Sequence, residues 1–186
     1  MNKLNICVDI DGTITSPYHF IPYLNELYGK NISDEECNTC DWEALYEVKM
    51  DEMLTEFHEK YMHSYGEATV VENAKNVIDE LKINHNIYFV TARSENLTEV
   101  TRNWLDDSGF SDIDVYLLGS DNKVSKAKEL NCDIFIEDNP WNATLLANEG
   151  MKIILIDTDY NKEVNHKDIT RVNNWIEIKE YIDRYM

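Results

Sequence analysis

The amino-acid sequence predicts a protein of the α/β class, with a parallel β-sheet that is covered by helices on both faces. From about residue 74 onward, short apolar runs typical of buried strands alternate with segments of helical periodicity. Polar residues directly follow several of these runs, and in open parallel sheets ligands bind beyond the carboxyl ends of the strands. A chain of 186 residues is long enough for one domain, or for one domain with a sizeable insertion.

The first predicted strand ends in two carboxylates. The apolar run over residues 4–8 leads into Asp9 and Asp11, which occupy alternate positions and can therefore face one side of an extended chain. Gly12 then permits a sharp departure of the backbone. Two acids this close repel each other unless a cation lies between them, and Mg²⁺ is the simplest candidate because it prefers oxygen ligands. Asp-Gly between apolar neighbours is also typical of a hairpin turn, in which Asp9 would only be solvated.

Residues 14–66 form a segment with helical spacing that is rich in aromatic and acidic residues. Apolar side chains over 20–28 fall on one helical face, and those over 42–61 continue a second helical stripe. Between the two stripes, Ser33 and Glu36 resemble a capping box at the start of a helix. We interpret the whole segment as a helical insertion after the first strand.

The remaining elements alternate along the chain. In order, the pattern predicts a helix over 74–81, a strand over 87–90, a helix capped by Ser94 that runs to residue 105, a strand over 113–118, a helix over about 123–130, a strand over 134–136, a helix over 140–150 with Asn139 as its N-cap, strands over 152–156 and 169–172, and a final helix through residue 182. Such alternation favours crossover connections between parallel strands.

Residues able to bind a phosphate group or a metal ion follow the predicted strands at several points. Asp9 and Asp11 follow the first strand, Thr91 the second, Lys123 comes shortly after the third, and Asp138 follows the fourth. Because the carboxyl ends of parallel strands share one edge of a sheet, we expect these side chains to meet there. Carboxylates, a hydroxyl and an ammonium group would then converge from distant positions in the chain.

Each of these residues also has a simpler explanation. Thr91 could be an ordinary hydroxyl at a strand end, and Asp138 could support the cap of the helix that follows it. Lys126 and Lys128 lie close enough to Lys123 to take its place. The joint arrangement, rather than any single residue, indicates a functional site.

These segments resemble the four motifs of the haloacid dehalogenase (HAD) superfamily of phosphohydrolases. The motif residues are Asp9-Ile10-Asp11-Gly12-Thr13, Val90-Thr91-Ala92-Arg93, Lys123, and Ile136-Glu137-Asp138-Asn139. The whole chain resembles the 5′-nucleotidase group related to deoxyribonucleotidases, and residues 119–123 and 159–161 resemble its bacterial members. The resemblance implies a HAD-like Rossmannoid three-layer core over residues 1–13 and 67–186, and a helical cap over 14–66.

Carried over residue by residue, the resemblance implies a two-step reaction that depends on Mg²⁺. Asp9 would be the nucleophile that forms an aspartyl-phosphate, and Asp11 would be the general acid that serves as the general base in the second step. The metal ligands would be the carboxylates of Asp9 and Asp138 and the backbone carbonyl of Asp11. Phosphatases of this superfamily have the second Asp and dehalogenases lack it, so Asp11 favours hydrolysis of phosphate esters.

The resemblance also implies which groups bind phosphate. Thr91 and Lys123 would hold the transferred phosphoryl oxygens with help from the backbone N–H of Gly12, since phosphoryl transfer requires positioning and charge neutralisation. Glu137 departs from the common pattern, in which relatives often have Asp. We expect Glu137 to orient a lysine or a water molecule rather than to bind the metal.

The charge balance limits the partners of this protein. Lys and Arg total 17 against 36 Asp and Glu, a formal net charge of −19, and so acidic a chain offers no basic face for a nucleic-acid polymer. Small phosphate esters remain candidates, because a bound cation and one or two lysines reverse the local charge. We expect no membrane-spanning segment, and a cytoplasmic location in which the four cysteines are thiols.

The expected function is Mg²⁺-dependent hydrolysis of a small phosphate monoester, most simply a nucleoside or deoxynucleoside 5′-monophosphate. The alternatives are a phosphatase for another small ester such as a sugar phosphate, and a non-catalytic protein that binds a phosphorylated ligand. Aromatic residues of the insertion could stack on a nucleobase or could form the core of the insertion itself: Tyr18, His19, Phe20, Trp42 and Tyr46.

Cysteine and histidine spacing in the insertion raises zinc as a further possibility. Cys37 with Cys40, and His58 with His63, have the spacing of ligand pairs, but the interval between the pairs exceeds that of zinc fingers. Helical register also places the two histidines apart. We therefore expect thiols here rather than a zinc site.

Overall fold

The computed structural model of the protein describes residues 3–120 and 122–185. Its centre is a six-stranded sheet with the spatial order β3-β2-β1-β4-β5-β6, in which each pair of neighbouring strands is parallel. The strands are β1 (Asn5–Val8), β2 (Asn86–Thr91), β3 (Asp114–Leu117), β4 (Ile134–Glu137), β5 (Lys152–Ile156) and β6 (Ile169–Val172). The predicted α/β class with a parallel sheet is confirmed.

Strand β1 lies in the middle of the sheet, so the residues that follow it lie at the centre of the carboxyl edge. Ile6 pairs with Ile87 on one side and with Ile134 on the other. Because both of these pairings are parallel, Asp11 and Gly12 do not close a hairpin, and that alternative is wrong.

Eight α-helices accompany the sheet in the described residues. They are α1 (Ile21–Tyr28), α2 (Trp42–Tyr46), α3 (Met50–Tyr61), α4 (Ala74–Leu81), α5 (Thr98–Asp107), α6 (Val124–Glu129), α7 (Pro140–Asn148) and α8 (Trp175–Tyr185). Among these described helices, none combines the length and the apolar character that a membrane span requires.

The helices cover both faces of the sheet. On one face, Ile78 of α4, Trp104 of α5 and Ile178 of α8 belong to a single buried cluster with the inward side chains of the strands. On the other face, Ala127 of α6 and Leu146 of α7 pack in a second cluster. Side chains of a strand alternate between faces, which is why nearly continuous apolar runs are needed to fill both layers.

The helices of the insertion pack around a third buried cluster, centred on aromatic residues. The Phe20 and Phe57 rings meet edge to face with centroids 5.6 Å apart, and Trp42 stacks on Tyr46 at 6.2 Å. Leu97, which precedes α5, also belongs to this cluster. Aromatic packing therefore gives the insertion a core of its own, while the division of the chain into core and cap near residue 66 stays a prediction.

Two of the predicted helix starts differ from the structure. Ser33 and Glu36 do form the reciprocal contacts of a capping box, with Ser33 N donating to Glu36 Oε2 at 2.9 Å and Glu36 N to Ser33 Oγ at 3.3 Å. These contacts close a turn, because the next helix begins only at Trp42. Ser94 does not cap a backbone N–H; its hydroxyl contacts Asn96 Oδ1, and a 3₁₀ turn precedes α5.

Candidate active site

A cavity of about 480 Å³ opens at the carboxyl ends of the central strands. Its lining includes every site residue that the sequence predicts: Asp9, Asp11, Gly12, Thr91, Lys123 and Asp138. Strand order explains this convergence, because β1 lies between β2 and β4 and the residues at or just beyond the carboxyl end of each strand lie at the same edge. Asp121, part of the segment that resembles the bacterial nucleotidases, lies outside the described residues.

Lys123 is buried between two carboxylates. Its ammonium group lies 2.7 Å from Asp9 Oδ1 and 2.9 Å from Glu137 Oε1, and its side chain is 1% exposed. Although burial alone would lower the pKa of Lys123, Asp9 and Glu137 raise that pKa well above its ordinary value. Lys123 is therefore a fixed positive charge next to Asp9. The expectation that Glu137 orients a lysine is met by this contact.

The neighbouring lysines of α6 point elsewhere. Lys126 pairs with Glu129 at 2.6 Å and lies 4.6 Å from the centre of the Tyr116 ring. Lys128 pairs with Glu149 at 2.5 Å. Neither residue lines the cavity, so the geometry favours Lys123 among the candidate lysines.

Asp138 accepts hydrogen bonds from three donors in two parts of the chain. Thr13 Oγ1 donates to its Oδ1 at 2.9 Å, the Tyr160 hydroxyl donates to its Oδ2, and Asn161 Nδ2 donates to its backbone carbonyl at 2.8 Å. Burial and the Glu137 carboxylate raise the pKa of Asp138 to about 7. The cap of α7 is supplied instead by Asn139, whose Oδ1 accepts from the backbone N–H groups of residues 141 and 142.

Asp11 forms a two-pronged ion pair with Arg93. Arg93 Nε donates to Asp11 Oδ2 at 2.8 Å, and Nη2 donates to Oδ1 at 2.7 Å. The guanidinium is buried and lies over the rings of Tyr65 and Trp104, at 4.8 and 5.6 Å from their centroids. Such a fork fixes the direction of the carboxylate as well as its position. Arg93 belongs to the second sequence motif, but its pairing with Asp11 was not predicted from the sequence.

The predicted phosphate-binding groups have partners of their own. The backbone N–H of Gly12 donates to Thr15 Oγ1 at 3.2 Å. Thr91 Oγ1 accepts from the backbone N–H of Arg93 at 3.2 Å, which leaves its hydroxyl proton available to donate. Both groups nevertheless face the cavity.

The chemistry of the site fits a hard divalent cation. Asp9, Glu137 and Asp138 offer carboxylate oxygens that all lie within 4.8 Å of one another, and no other described group of three acidic, His or Cys side chains is so close. Burial, together with the neighbouring carboxylates, raises the pKa of Asp9 well above its ordinary value even though Lys123 lowers it. Asn142, which is 3% exposed and lines the cavity, has a buried side-chain oxygen without a hydrogen-bond partner. A cluster of carboxylate oxygens with too few positive side chains nearby to balance its charge is suited to Mg²⁺.

The cysteine and histidine residues of the insertion do not form a comparable group among the residues that the structure describes. Cys37 is buried, and His58 Nε2 lies 3.2 Å from the Tyr65 hydroxyl. The spacing of these residues in the sequence therefore does not correspond to a cluster of metal ligands in the described part of the structure.

Many of the other residues that line the cavity are apolar. These side chains come mainly from the helical insertion and from residue 97: Phe20, Leu24, Trp42, Met50, Met53, Leu54, Phe57 and Leu97. Of the aromatic residues that the sequence suggested for stacking, Phe20 and Trp42 line the cavity, whereas Tyr18, His19 and Tyr46 are not among its lining residues. The charged lining residues lie at the sheet edge, and they are Asp9, Asp11, Arg93, Lys123 and Asp138.

Comparison with known proteins agrees with the geometry. The family described as 5′ nucleotidase, deoxy (pyrimidine), cytosolic type C protein matches residues 2–185. A nucleotidase of Clostridium acetobutylicum is 39% identical over 185 residues, which is 99% of this chain and 96% of that protein.

Solved structures share the fold at low sequence identity. A haloacid dehalogenase-like hydrolase from Streptococcus pneumoniae has a TM-score of 0.73 at 13% identity, over 97% of this chain and 98% of that chain. The HAD hydrolase YfnB from Bacillus subtilis, solved bound to magnesium, has a TM-score of 0.65 at 16% identity, over 98% and 100% of the two chains. The chain therefore shares the fold of haloacid dehalogenase-like hydrolases, belongs to the family described as 5′ nucleotidase, deoxy (pyrimidine), cytosolic type C, and is a phosphoric monoester hydrolase.

Proposed function

We propose that this protein hydrolyses nucleoside or deoxynucleoside 5′-monophosphates in a Mg²⁺-dependent reaction that passes through an aspartyl-phosphate on Asp9. One observation carries the choice of substrate: the lining of the cavity combines carboxylates at the sheet edge with apolar and aromatic side chains of the helical insertion. A nucleobase suits the apolar lining because its flat surface can stack on Phe20 or Trp42. A sugar phosphate would leave its hydroxyl groups facing apolar side chains, which is unfavourable.

Asp9 is the nucleophile in this proposal. One of its carboxylate oxygens attacks phosphorus, the bond from phosphorus to the ester oxygen breaks, and that oxygen takes a proton from Asp11. Water then loses a proton to Asp11 and attacks the same phosphorus, which releases inorganic phosphate and restores the Asp9 carboxylate. The ion pair with Lys123 supports this role, because a fixed ammonium 2.7 Å from Asp9 attracts the anionic phosphate.

The side chain of Asp11 is partly exposed and is held in a fixed direction, and both features suit it to proton transfer. Its side chain is 28% exposed and can therefore exchange protons with solvent and substrate. Arg93 holds both of its oxygens, which limits the directions in which the carboxylate can turn.

Mg²⁺ would be held by the carboxylates of Asp9 and Asp138 and by the backbone carbonyl of Asp11, and it would neutralise the charge of the phosphate. The cluster of carboxylates around Asp9 and Asp138 supports this assignment, and a magnesium-bound structural relative is consistent with it. Thr91 and Lys123 would bind the phosphoryl oxygens. The Gly12 N–H would join them after releasing Thr15.

Residues 14–66 form the cap in this proposal, and residues 1–13 and 67–186 form the core. The separate aromatic cluster of the insertion supports that division, and so does the cavity, whose apolar walls come mainly from one segment and whose charged edge comes from the other. A cap over the site excludes water from the phosphoryl intermediate. The family description names a cytosolic protein, which supports a cytoplasmic location.

One experiment tests the substrate and the chemistry together. Phosphate release is measured on a panel of ribonucleoside and deoxyribonucleoside 5′-monophosphates, the corresponding 3′-monophosphates and several sugar phosphates, each with Mg²⁺ and with EDTA. We expect Mg²⁺-dependent release that is fastest for 5′-nucleotides. Preference for sugar phosphates would overturn the substrate assignment, and nucleotide binding without any phosphate release would favour a ligand-binding protein.

A further inference from the structure

The segment between β5 and β6 reaches over the edge of the sheet and contacts Asp138. Strand β5 lies beside β4 with Leu155 opposite Glu137, so the residues that follow the two strands are neighbours at the carboxyl edge. Asn161 ties them together, because its Nδ2 donates to the backbone carbonyls of Asp138 and Ile156, each at 2.8 Å. The main chain of Asp138 is thus anchored to this segment.

The segment itself is held firmly. Asn161 is buried, and its Oδ1 accepts from the backbone N–H of Thr158 at 3.2 Å. Arg171 of β6 donates to the Asn161 backbone carbonyl at 2.8 Å and pairs with Asp157 at 2.8 Å. Because its neighbour in sequence is fixed in this way, Tyr160 has little freedom in where it can place its hydroxyl group.

That hydroxyl group donates to Asp138 Oδ2. Thr13 donates to the other oxygen, Oδ1, at 2.9 Å, so each carboxylate oxygen has one donor. A carboxylate has about four lone-pair sites, and two donors therefore leave acceptor capacity for a cation. The two hydrogen bonds together set the rotation of the carboxylate about its last bond.

We propose that Tyr160 is a positioning residue that orients the Asp138 carboxylate for Mg²⁺. The inference rests on the proposed function, in which Asp138 is a metal ligand. A residue that hydrogen-bonds to a metal ligand increases the affinity for the metal, because the ligand then loses less freedom when the ion binds. Removal of such a residue weakens metal binding by about 10- to 100-fold. If Tyr160 were only a buried phenol in need of an acceptor, its removal would leave the affinity for the ion unchanged.

The test measures ion binding rather than turnover. Tyr160→Phe keeps the ring and removes only the hydroxyl group from Asp138. Tyr18→Phe is the matched control, because the Tyr18 hydroxyl donates to Asp159 at 3.1 Å and its ring meets that of Tyr160 edge to face, yet it does not contact Asp138. Mn²⁺ is the probe, with the free ion measured by electron paramagnetic resonance, and Mg²⁺ is then added as a competitor.

We expect Tyr160→Phe to raise the dissociation constant for Mn²⁺ by about 10- to 100-fold and Tyr18→Phe to change it by less than about twofold. The inference is overturned if Tyr160→Phe binds Mn²⁺ within about twofold of the wild type, or if the two variants weaken binding equally. Asp138→Asn tests the proposed function on which this inference rests. If this variant binds Mn²⁺ as tightly as the wild type, the proposed metal site itself is wrong. Thermal unfolding of each variant in EDTA establishes that the fold is retained, and Thr13→Ser, which preserves the other donor, gives a second reference.

Discussion

Gly12 leaves the space that the Asp138 carboxylate occupies. A methyl group on Gly12 would lie 2.5 Å from Asp138 Cγ and 2.9 Å from its Oδ1, which is closer than side-chain carbon atoms approach other atoms. Gly12 also has a φ of +86°, a backbone conformation that disfavours residues with a side chain. The same glycine therefore serves the turn after β1 and the packing of a proposed metal ligand that follows the neighbouring strand β4.

Gly12→Ala tests this relationship. We expect activity to fall at least about 100-fold, because the added methyl group displaces Asp138, and we expect a loss of stability greater than the 1–2 kcal/mol or so of the backbone strain alone. Gly150→Ala is the matched control, with a φ of +85° and open space around the new methyl group. It should lose only the roughly 1–2 kcal/mol of backbone strain in urea unfolding and keep its activity. Equal effects of the two substitutions on activity would contradict the packing argument.

Asp9→Asn tests the nucleophile. The amide cannot form the acyl-phosphate, so we expect Mg²⁺-dependent phosphate release to fall by about a thousandfold or more. The fold should be retained, because burial disfavours the Asp9 carboxylate and a neutral amide relieves that cost. The measurements are initial rates and thermal unfolding, with the exposed Asp107→Asn as a control for loss of one acidic charge. Undiminished turnover would refute the role of Asp9.

Lys123→Ala and Lys126→Ala compare a buried lysine with a peripheral one. Removing Lys123 leaves Asp9 and Glu137 buried without their cation, which should cost about 3–5 kcal/mol of stability and reduce activity at least about 100-fold. Lys126 pairs with an exposed carboxylate, so its loss should cost less than about 1 kcal/mol and leave activity within about twofold. Rates are compared below the melting temperature of both variants. A larger loss of activity in Lys126→Ala would show that the phosphate-binding lysine is misassigned.

The raised pKa of Asp138 predicts how stability depends on pH in EDTA. Asp138 has a pKa of about 7 in the folded protein, against 3.8 for an ordinary aspartate, so the folded state retains a proton that the unfolded state has lost. Its contribution to stability is present below about pH 4 and is lost as the pH rises to about 7. Between pH 5 and 8 the wild type should therefore lose about 3 kcal/mol relative to Asp138→Asn. The free energy of unfolding of both proteins is measured in urea across this range.

Added Mg²⁺ should reduce that loss, because a bound cation favours the ionised carboxylate. The histidines with lowered pKa values, His58 and His85, change stability in the opposite direction as the pH rises. They are common to both proteins and cancel in the difference. Parallel pH curves for the wild type and Asp138→Asn would contradict the assignment of this titration to Asp138.

The sheet and the edge at which the site lies were predictable from local patterns. Short apolar runs separated by helices, such as residues 134–136, are most simply buried strands of a parallel sheet. A parallel sheet places the residues after each strand on one edge. That geometry is enough to bring Asp9, Thr91 and Asp138 to a common cavity. Helix starts were less predictable, because the contacts of a capping box such as Ser33 with Glu36 also close turns that no helix follows.

The sequence by itself therefore determined the order of strands and helices, the paired acids after the first strand and the family to which the chain belongs. Only the tertiary structure showed that Lys123 lines the cavity and Lys126 does not, paired Arg93 with Asp11, and brought Tyr160 and Gly12 against Asp138. The physical reason is that periodicity and spacing describe which way a residue faces within its own element. Ion pairs and buried hydrogen bonds between residues distant in sequence depend on how the elements pack. A polar group that is left unpaired becomes costly only after packing has removed it from water.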